Sequence, residues 1–247
     1  MSEQKAIYSW NPWHGCTRYS EGCKHCYVFV LDKKFNVPQN ASQVTKTKSF
    51  NKPLQKHKNG QYVIPAGSTV QVNMTSDTFH EQADEWREEM WQIIRQRPDV
   101  TFYILTKRVE RIAACLPSDW GEGYENVDLN ITCENQQRFD ERWAIFKDIP
   151  AKHKGMTLQP LLGPIDITPA LASGQIEHVN LGGEEFGTDT PCHYEWVKEV
   201  SDDCRRFGVR FWFIATGAVF VKDGKTYHIP DQKTQLQQAK KSGLSLE

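Results

Sequence analysis

Stretches with a strand-like pattern of apolar residues alternate along the chain with stretches that have a helical pattern. The strand pattern occurs seven times, at residues 6–10, 68–74, 101–105, 126–132, 154–158, 176–181 and 210–215. Helices are predicted after Cys26, at residues 81–97 and 109–116, and around two apolar stripes, Phe139, Trp143, Phe146 and Trp196, Val200, Cys204, Phe207. The alternation therefore predicts β-then-α units without a long linker.

This order of elements indicates an α/β fold, built on a parallel sheet with helices outside. The regular spacing favours a partial or closed (β/α) TIM-like barrel of about six to seven units over an open sheet. Asp223-Gly224, within residues 219–229, is a turn dipeptide and predicts a C-terminal β-hairpin. We therefore expect one barrel domain over residues 1–247.

Length and composition narrow the function classes. A chain of 247 residues can remove roughly 70–75% of its unfolded surface from water, so it needs no disulfide or metal to supply a core. No apolar run reaches the roughly 18–20 residues of a membrane span, and the first residues lack the pattern of a signal peptide. We expect a soluble, cytoplasmic protein without a membrane partner.

The charge along the chain is uneven. Between Lys33 and Ser76 there are seven lysines and no acidic residue, whereas the rest of the chain carries 23 basic and 31 acidic groups. Much of this positive charge lies in a basic insertion at about residues 33–66, which is long for a connection inside a βα domain. It is either a solvated surface loop or a flap whose lysines and aromatic residues contact phosphates and bases. The second interpretation predicts an anionic substrate, with nucleic acid or a nucleotide as the leading candidate.

Polar residues follow most of the predicted strands, where the chemistry of a (β/α) barrel is located. Some of them must be helix caps, and we expect Thr106 and Asp77 to be of that kind. The other candidates are Asn73, Ser76 and His80 after strand two, Lys107 and Arg108 after strand three, Cys133, Glu134 and Asn135 after strand four, Gln159 after strand five, Gly182, Gly183, Glu184 and Glu185 after strand six, and Thr216 after strand seven.

The loop after the first strand carries the strongest chemical signal. Cys16, Cys23 and Cys26 have the spacing Cys-x6-Cys-x2-Cys, and the glycines of the loop let it fold back so that the thiols converge. Thiolates are soft ligands that select iron–sulfur clusters, zinc or copper(I), and three cysteines leave one iron of a 4Fe-4S cluster open to a substrate. Zinc would need a fourth ligand, for which His14 or His25 is available. A 4Fe-4S cluster is the leading interpretation; zinc, or no metal, is the alternative.

The other four cysteines give weaker signals. Cys204 lies on an apolar helical stripe and Cys115 in a short helix, so we expect both in the core. Cys133 and the pair Cys192-His193 fall in loops at the predicted mouth of the barrel, where the strands end. They are candidates for a second metal site. The odd total of seven cysteines argues against a disulfide framework.

The first strand, the three-cysteine loop and the following helix resemble the start of radical S-adenosylmethionine (SAM) enzymes, which usually have an aromatic residue before the last cysteine of a Cys-x3-Cys-x2-Cys motif. His25 occupies that position here. Nearly the whole chain is similar to a three-cysteine family carried by phages and mobile elements, through the segments WNPWHGC, SEGCKHCY, NMTSDTFH, LTKR, PLLGPI and GGE. The resemblance implies a partial (β/α) barrel and a 4Fe-4S cluster held by Cys16, Cys23 and Cys26.

The chain departs from these families at two motifs, one near each end of the sequence. The first cysteine gap is six residues rather than three, although three thiolates are still supplied. The phage-borne family tends to have a Lys-Gln-Trp-Gly segment at the final strand, where this chain has Ile214-Ala-Thr-Gly217. Whatever that lysine does elsewhere, this protein lacks it at this position.

A third departure concerns the SAM site. In radical SAM enzymes a Gly-Gly-Glu segment after the second strand binds the amino group of SAM, but here the segment Gly182, Gly183, Glu184 follows strand six. The residues at the second-strand position, Asn73, Ser76 and Asp77, supply acceptors for an ammonium instead. Both groups are candidate cofactor-binding residues.

The resemblance implies a mechanism in which a reduced cluster passes one electron to bound SAM and releases a 5′-deoxyadenosyl radical that abstracts a substrate hydrogen. Glu134 and Asn135 are then placed to hydrogen-bond the ribose of SAM. Lys107 or Arg108 would pair with the carboxylate of SAM or with an anionic substrate. For Arg108 and Glu134 the alternative is a salt bridge at the rim. The cluster requires an external one-electron donor.

The sequence thus predicts a radical SAM enzyme that acts on an unidentified substrate. Two other classes stay open. One is a non-catalytic adaptor that binds zinc or a cluster and recognises nucleic acid or protein. The other is a metal-free barrel hydrolase or transferase that uses Asp77, His80, Lys107 and Glu184.

Overall fold

A parallel sheet of seven strands in sequence order is the framework of the computed structural model, which describes residues 6–35, 37, 42–187 and 190–246. Each strand pairs with the next one along the chain. The strands are β1 (Ile7–Trp10), β2 (Thr69–Val72), β3 (Thr101–Thr106), β4 (Val127–Thr132), β5 (His153–Leu158), β6 (His178–Gly182) and β7 (Arg210–Ala215). The α/β class and the parallel sheet predicted from the alternation are confirmed.

Helices occupy most of the connections between these strands. Within the described residues they are α1 (Tyr27–Lys34), α2 (Asp84–Gln96), α3 (Val109–Cys115), α4 (Gln136–Phe146), α5 (Thr168–Ala172), α6 (Tyr194–Phe207) and α7 (Gln232–Lys241). Short 3-10 helices lie at Glu21–Cys23, Lys52–Leu54 and Glu81–Ala83. Helix α6 ends at Phe207 because Gly208 adopts a left-handed conformation with φ 69°, and Arg205 in its last turn complements the helix dipole.

The outer face of the sheet is apolar and forms the core with the helices. Alternate residues of each strand point to this face, such as Val70, Phe102, Leu129, Met156 and Val179, and each of these five is fully buried. They share one cluster with the apolar stripes of the helices, which include Met90, Ile93, Ile94, Phe139, Phe146, Val200 and Cys204. Burial of this face against the helices therefore holds the sheet in place.

The opposite face of the sheet is concave and polar. Asn180 Nδ2 on β6 donates to Tyr103 Oη on β3 at 3.2 Å, although β4 and β5 lie between these strands. In a flat sheet the two strands would stand roughly 14 Å apart, since neighbours are spaced by about 4.8 Å. The strands therefore curl toward this face, and the sheet has the shape of a half-barrel.

The sheet stays open, so the closed form of the predicted barrel is wrong. Among the described residues nothing pairs β1 with β7, because other segments cover both edges. At β7, Leu246 and Phe211 exchange backbone hydrogen bonds of 2.7 and 3.1 Å. At β1, Lys52 Nζ donates to Ser9 O at 2.8 Å, and Thr47 Oγ1 donates to the next outward carbonyl, Asn11 O, at 2.6 Å.

The basic insertion contains the segment that covers β1. Its residues Thr45–Lys46 form a short antiparallel pair with Trp13–His14 beside the cysteine loop. Phe50 and Ile64 are buried, and Arg97 Nη2 donates to Ile64 O at 2.7 Å. This part of the insertion is anchored to the core, whereas Pro38 and neighbouring residues of the insertion lie outside the described residues.

Other predicted elements agree with the structure to within a few residues. The hairpin consists of β8 (Val219–Lys222) and β9 (Lys225–His228), and the short strand Cys192–His193 extends it beside β8. The predicted stripe of α6 is wrong at Phe207, which is exposed, whereas Trp196 is partly buried and packs against the core. Helices α5 and α7 were absent from the sequence-based prediction, since their short or polar sequences lack an apolar stripe. Among the described residues, no helix is long and apolar enough to cross a membrane.

Candidate functional site

The cysteine loop follows β1 and lies at the carboxyl edge of the sheet. Gly15 adopts a left-handed conformation with φ 99°, and its N–H donates to Thr75 O in the loop after β2 at 3.1 Å. Ser76 Oγ donates back to Gly15 O. The hydroxyl of Tyr27, at the start of α1, donates to Met74 O. The loop is therefore fastened to the end of β2 at both of its ends.

The three thiols lie within electrostatic range of one another. Burial raises the pKa of Cys16 to about 12, and the neighbouring charges of Asp77 and Cys23 raise it further, against the effect of Arg108. Burial also raises the pKa of Cys26, with a contribution from Cys23, while the backbone N–H groups at the start of α1 oppose the shift. The convergence of Cys16, Cys23 and Cys26 on one metal site stays a prediction. Among the described residues, no three His, Cys, Asp or Glu side chains are grouped so as to hold a single metal ion.

Arg108 connects the cysteine loop to the ends of β2 and β3. Its Nη2 donates to Thr17 O at 3.2 Å and to Thr17 Oγ1 at 2.8 Å, and its Nη1 lies 3.7 Å from Cys16 Sγ. The same guanidinium is 3.3 Å from Asp77 Oδ2, and both side chains are buried. Of the two roles predicted for Arg108, the salt bridge is the one observed.

The Asp77 carboxylate and the His80 ring have intramolecular partners. Asp77 accepts from the hydroxyl of Thr106 at 2.7 Å and from the backbone N–H of Phe79 and Lys107 at 2.9 and 3.1 Å. Burial lowers the pKa of His80, and the charge of Arg108 lowers it further. Because Nδ1 accepts from the backbone N–H of Gln82, the neutral ring donates from Nε2 to Thr17 Oγ1 at 3.0 Å. Both side chains brace the loop.

Glu134 forms a second attachment of the cysteine loop, on the side of β4. Its carboxylate accepts from Arg142 Nη1 at 2.6 Å and from the hydroxyl of Ser20. A Cβ atom at Gly22 would lie 3.1 Å from Glu134 Cδ, so the loop approaches this closely because the residue is glycine. Burial opposes ionisation, but the charges of Lys107 and Arg142 prevail and lower the pKa of Glu134.

Lys107 differs from its neighbour Arg108. Its charge acts on Cys26, on Cys133 and on Glu134, which places the ammonium between the cysteine loop and β4. Among the described residues, no hydrogen bond or ion pair engages this ammonium, and the residue is partly buried. The ammonium is therefore the cation of the rim that is available to an anionic ligand.

Two other predicted site residues, Asn73 after β2 and Asn135 after β4, have structural roles. Asn73 has a left-handed backbone with φ 55°, and its Nδ2 donates to Thr78 Oγ1 at 3.1 Å. No described residue hydrogen-bonds to its buried Oδ1. Asn135 caps α4, accepting from the backbone N–H of Arg138 at 2.9 Å, and its amide donates to Glu21. The helix caps expected at Asp77 and Thr106 are wrong, because His80 caps the 3-10 helix after β2 and α3 begins after Arg108 without a side-chain cap.

The segment after β6 is shaped by close packing. A Cβ atom at Gly182 would lie 2.8 Å from the side chain of Gln159, and one at Gly183 would lie 2.4 Å from Thr216 O. Glu184 is buried, and both it and His25 border Gly187. The two glycines are thus required by the packing of β6 against its neighbours, and Glu184 lies on the side of His25.

The other predicted metal ligands lie in different surroundings. Burial raises the pKa of Cys133 to about 12, and that of Cys192 to the same value. Cys192 pairs with Phe220 of the hairpin, and the ring of His193 stacks on Trp196 with 4.2 Å between centroids. The predicted second metal site remains a hypothesis.

Arg142, Thr17 and the polar residues of the concave face were missed by the sequence analysis. Arg142 is a buried cation inside α4, and no local pattern distinguishes it from an exposed arginine. The concave face had a signal, because polar residues alternate with apolar ones in strands such as residues 126–132 (NVDLNIT). A closed barrel would bury both faces, so the alternation indicates an open inner face.

Comparison with known proteins gives a family. Neither the curated proteins nor the solved structures include a match to the chain. A family model described as "Protein of unknown function (DUF5131)" matches residues 4–246, which is nearly the whole chain. The chain belongs to the DUF5131 family.

Proposed function

We propose that the protein is an iron–sulfur protein of the radical SAM type, in which Cys16, Cys23 and Cys26 hold a 4Fe-4S cluster and SAM is the second cofactor. The observation that carries the proposal is the placement of three thiols on one braced loop at the carboxyl edge of a parallel half-barrel, beside Lys107, whose ammonium has no partner among the described residues.

The donor set fits this group. Three soft thiolates suit iron and sulfide, and a set of three leaves one iron for a further ligand. A cubane binds its three cysteines at three different irons, so the thiols need not meet at one point. When bound, the cluster and SAM supply a carbon-centred radical that removes a hydrogen atom from the substrate.

The protein's own residues have separable tasks in this proposal. Lys107 pairs with the carboxylate of SAM, because its ammonium lies beside the loop and the described part of the chain offers it no acceptor. The buried Oδ1 of Asn73 accepts from the ammonium of SAM. Arg108 and Glu134 keep the loop in position through Thr17 and Ser20. Their guanidinium and carboxylate are engaged in this bracing, so they act as positioning residues.

The first test is metal content. Protein purified without oxygen should contain iron and sulfide in cluster stoichiometry, and replacing Cys16, Cys23 or Cys26 with Ala should remove both. Cys115→Ala is the matched control. Cys115 lies in α3, and its exposed fraction is similar to that of Cys23. Stoichiometric zinc with negligible sulfide in the wild type would show that the cluster assignment is wrong.

The second test is SAM chemistry. Reduced protein with SAM should yield 5′-deoxyadenosine, and SAM should change the EPR signal of the cluster. Lys107→Met should keep iron and sulfide but weaken SAM binding about tenfold or more, which corresponds to about 1.4 kcal/mol. A reduced cluster that neither forms the product nor responds to SAM would favour the adaptor hypothesis instead.

A further inference from the structure

The concave face carries a continuous row of aromatic rings. The ring centroids of Tyr103 on β3 and His178 on β6 are 6.2 Å apart, and those of His178 and Trp212 on β7 are 5.9 Å apart. Trp212 is 36% exposed although it lies in a strand of the central sheet. The Trp212 ring is thus open to solvent on a face that the hydrophobic core does not use, whereas His178 is buried and Tyr103 is partly buried.

Neutral hydrogen-bonding groups accompany the rings. Tyr103 Oη is bonded to Thr157 Oγ1 at 2.9 Å and accepts from Asn180 Nδ2, so the amide oxygen of Asn180 is left for another donor. Asn130 is fully buried, its Nδ2 donates to Asp128, and its Oδ1 has no hydrogen-bond partner within the described residues. A buried acceptor without a donor is costly unless a ligand or water supplies one.

Charged side chains border the row. The half-exposed Arg210 lies over the Trp212 ring, with 5.5 Å from its Cζ to the ring centroid, and Asp128 lies beside Tyr103 and His178. At the amino ends of the strands, Asp128 Oδ2 is 3.5 Å from His178 Nε2, and burial raises the pKa of Asp128 and lowers that of His178, so both favour their neutral forms. His153, Glu177 and Arg210 form exposed ion pairs near them. At the β1 edge, Ser9 belongs to the concave face and its carbonyl accepts from Lys52 of the basic insertion.

We propose that the concave face binds a base of single-stranded nucleic acid, which stacks on Trp212 and hydrogen-bonds to Asn180 and Asn130. An exposed indole ring with neutral amides near it matches a planar base, whose edge carries donors and acceptors. The basic insertion at the β1 edge gives phosphates of the same strand a place to bind. The assignment of this base as the substrate rests on the proposed function, whereas its binding does not require cluster or SAM.

The test is a binding measurement on the full chain at low salt, with fluorescein-labelled oligo(dT), oligo(dA) and oligo(rU) of about twelve nucleotides. Trp212→Leu should weaken binding about tenfold, and Trp212→Phe should restore most of it because a ring is retained. Phe207→Leu is the matched control, since Phe207 is 38% exposed but lies at the end of α6. This variant should bind as the wild type does.

Two further measurements make the result decisive. Asn180→Ala should also weaken binding, and circular dichroism should show that each variant is folded. Equal affinity of Trp212→Leu and the wild type, or no binding of any oligonucleotide, would overturn the proposal. Binding of free adenosine monophosphate or of an oligosaccharide in place of the oligonucleotides would overturn the choice of ligand. Iron, sulfide and 5′-deoxyadenosine are measured on the same samples. A failure of the proposed function would appear in those measurements, and a failure of base binding would appear in the affinities.

Discussion

The two faces of the central sheet have opposite properties although the same seven strands form both. The outer face consists of buried apolar side chains that pack against the helices. The concave face has amides, hydroxyls and rings, and its members range from the fully buried Asn130 to the exposed Trp212. Burial of apolar surface is the dominant favourable term in folding, so the outer face accounts for most of the stability. The concave face is free to serve binding.

The largest expected effect is on the outer face. Phe102 is fully buried and packs edge-to-face on Trp10, with 5.7 Å between ring centroids. Phe102→Ala should lower the free energy of unfolding by about 3–5 kcal/mol, through lost transfer energy and a residual cavity. Asn180→Ala on the concave face removes one hydrogen bond and should cost about 1 kcal/mol. Urea unfolding of both variants measures the difference, and equal losses would show that the two faces do not divide in this way.

The second prediction concerns the rim, where the two faces meet. Arg142→Met leaves the buried Glu134 carboxylate without its ion-pair partner and should cost about 3 kcal/mol. Because the pKa of Glu134 is lowered from its ordinary 4.5, its ionisation stabilises the folded state above that pH. The advantage of the wild type over Glu134→Gln should therefore shrink as the pH falls below 4.5. The exposed carboxylate of Glu141 provides the control, and Glu141→Gln should show a much weaker trend.

Lys154 is a charged residue on the otherwise apolar outer face, and the third prediction concerns its ammonium. Its ammonium is buried and donates to Phe146 O at 3.1 Å and Lys147 O at 3.2 Å, at the end of α4. Burial lowers its pKa from 10.5 to about 8. Between these values the unfolded chain binds the proton and the folded chain releases it, so folding stability rises with pH.

The pH-dependent stability that comes from Lys154 is measured against a variant that lacks its ammonium. Relative to Lys154→Met, the wild type should gain up to about 3 kcal/mol of unfolding free energy across this pH range. Lys198→Met removes an exposed lysine that pairs with Asp202, and it should show no such gain. A flat difference between the wild type and Lys154→Met would mean that the ammonium is not disfavoured by burial.

The smallest effect is expected at the β1 edge. Lys52→Met removes the hydrogen bond to Ser9 O at a largely solvated site, so unfolding free energy should fall by less than about 1 kcal/mol. If this edge borders the bound strand, the same variant should weaken oligonucleotide binding and lessen its dependence on salt. Thermal unfolding and binding isotherms of one preparation separate the two effects.

The strands and most helices could be predicted because each is defined by a local period of apolar residues. Phe139, Trp143 and Phe146 are buried as their spacing predicts. The openness of the barrel could not be predicted in that way, because it depends on how Leu246 and Lys52 meet edges that are distant in sequence. Helical period also fails for α7, in which polar residues dominate the sequence.

At the candidate site, the sequence predicted which residue types cluster. It did not predict which of them form hydrogen bonds or ion pairs within the protein. Lys107 and Arg108 are adjacent cations, and both were candidates for binding an anion. Arg108 is bonded to Thr17, a residue 91 positions away, and such a contact has no local signal. The same holds for Arg142 and Glu134, whose pairing requires the bend between β4 and α4.

The covering of both sheet edges has a consequence for how molecules behave at high concentration. An open sheet offers its outermost backbone N–H and C=O groups as a template on which another chain can add a strand. Here Leu246 occupies that place along part of β7, and Lys52 and Thr47 occupy outward carbonyls at β1. The protein can therefore keep its barrel open to a ligand without inviting self-assembly through strand addition.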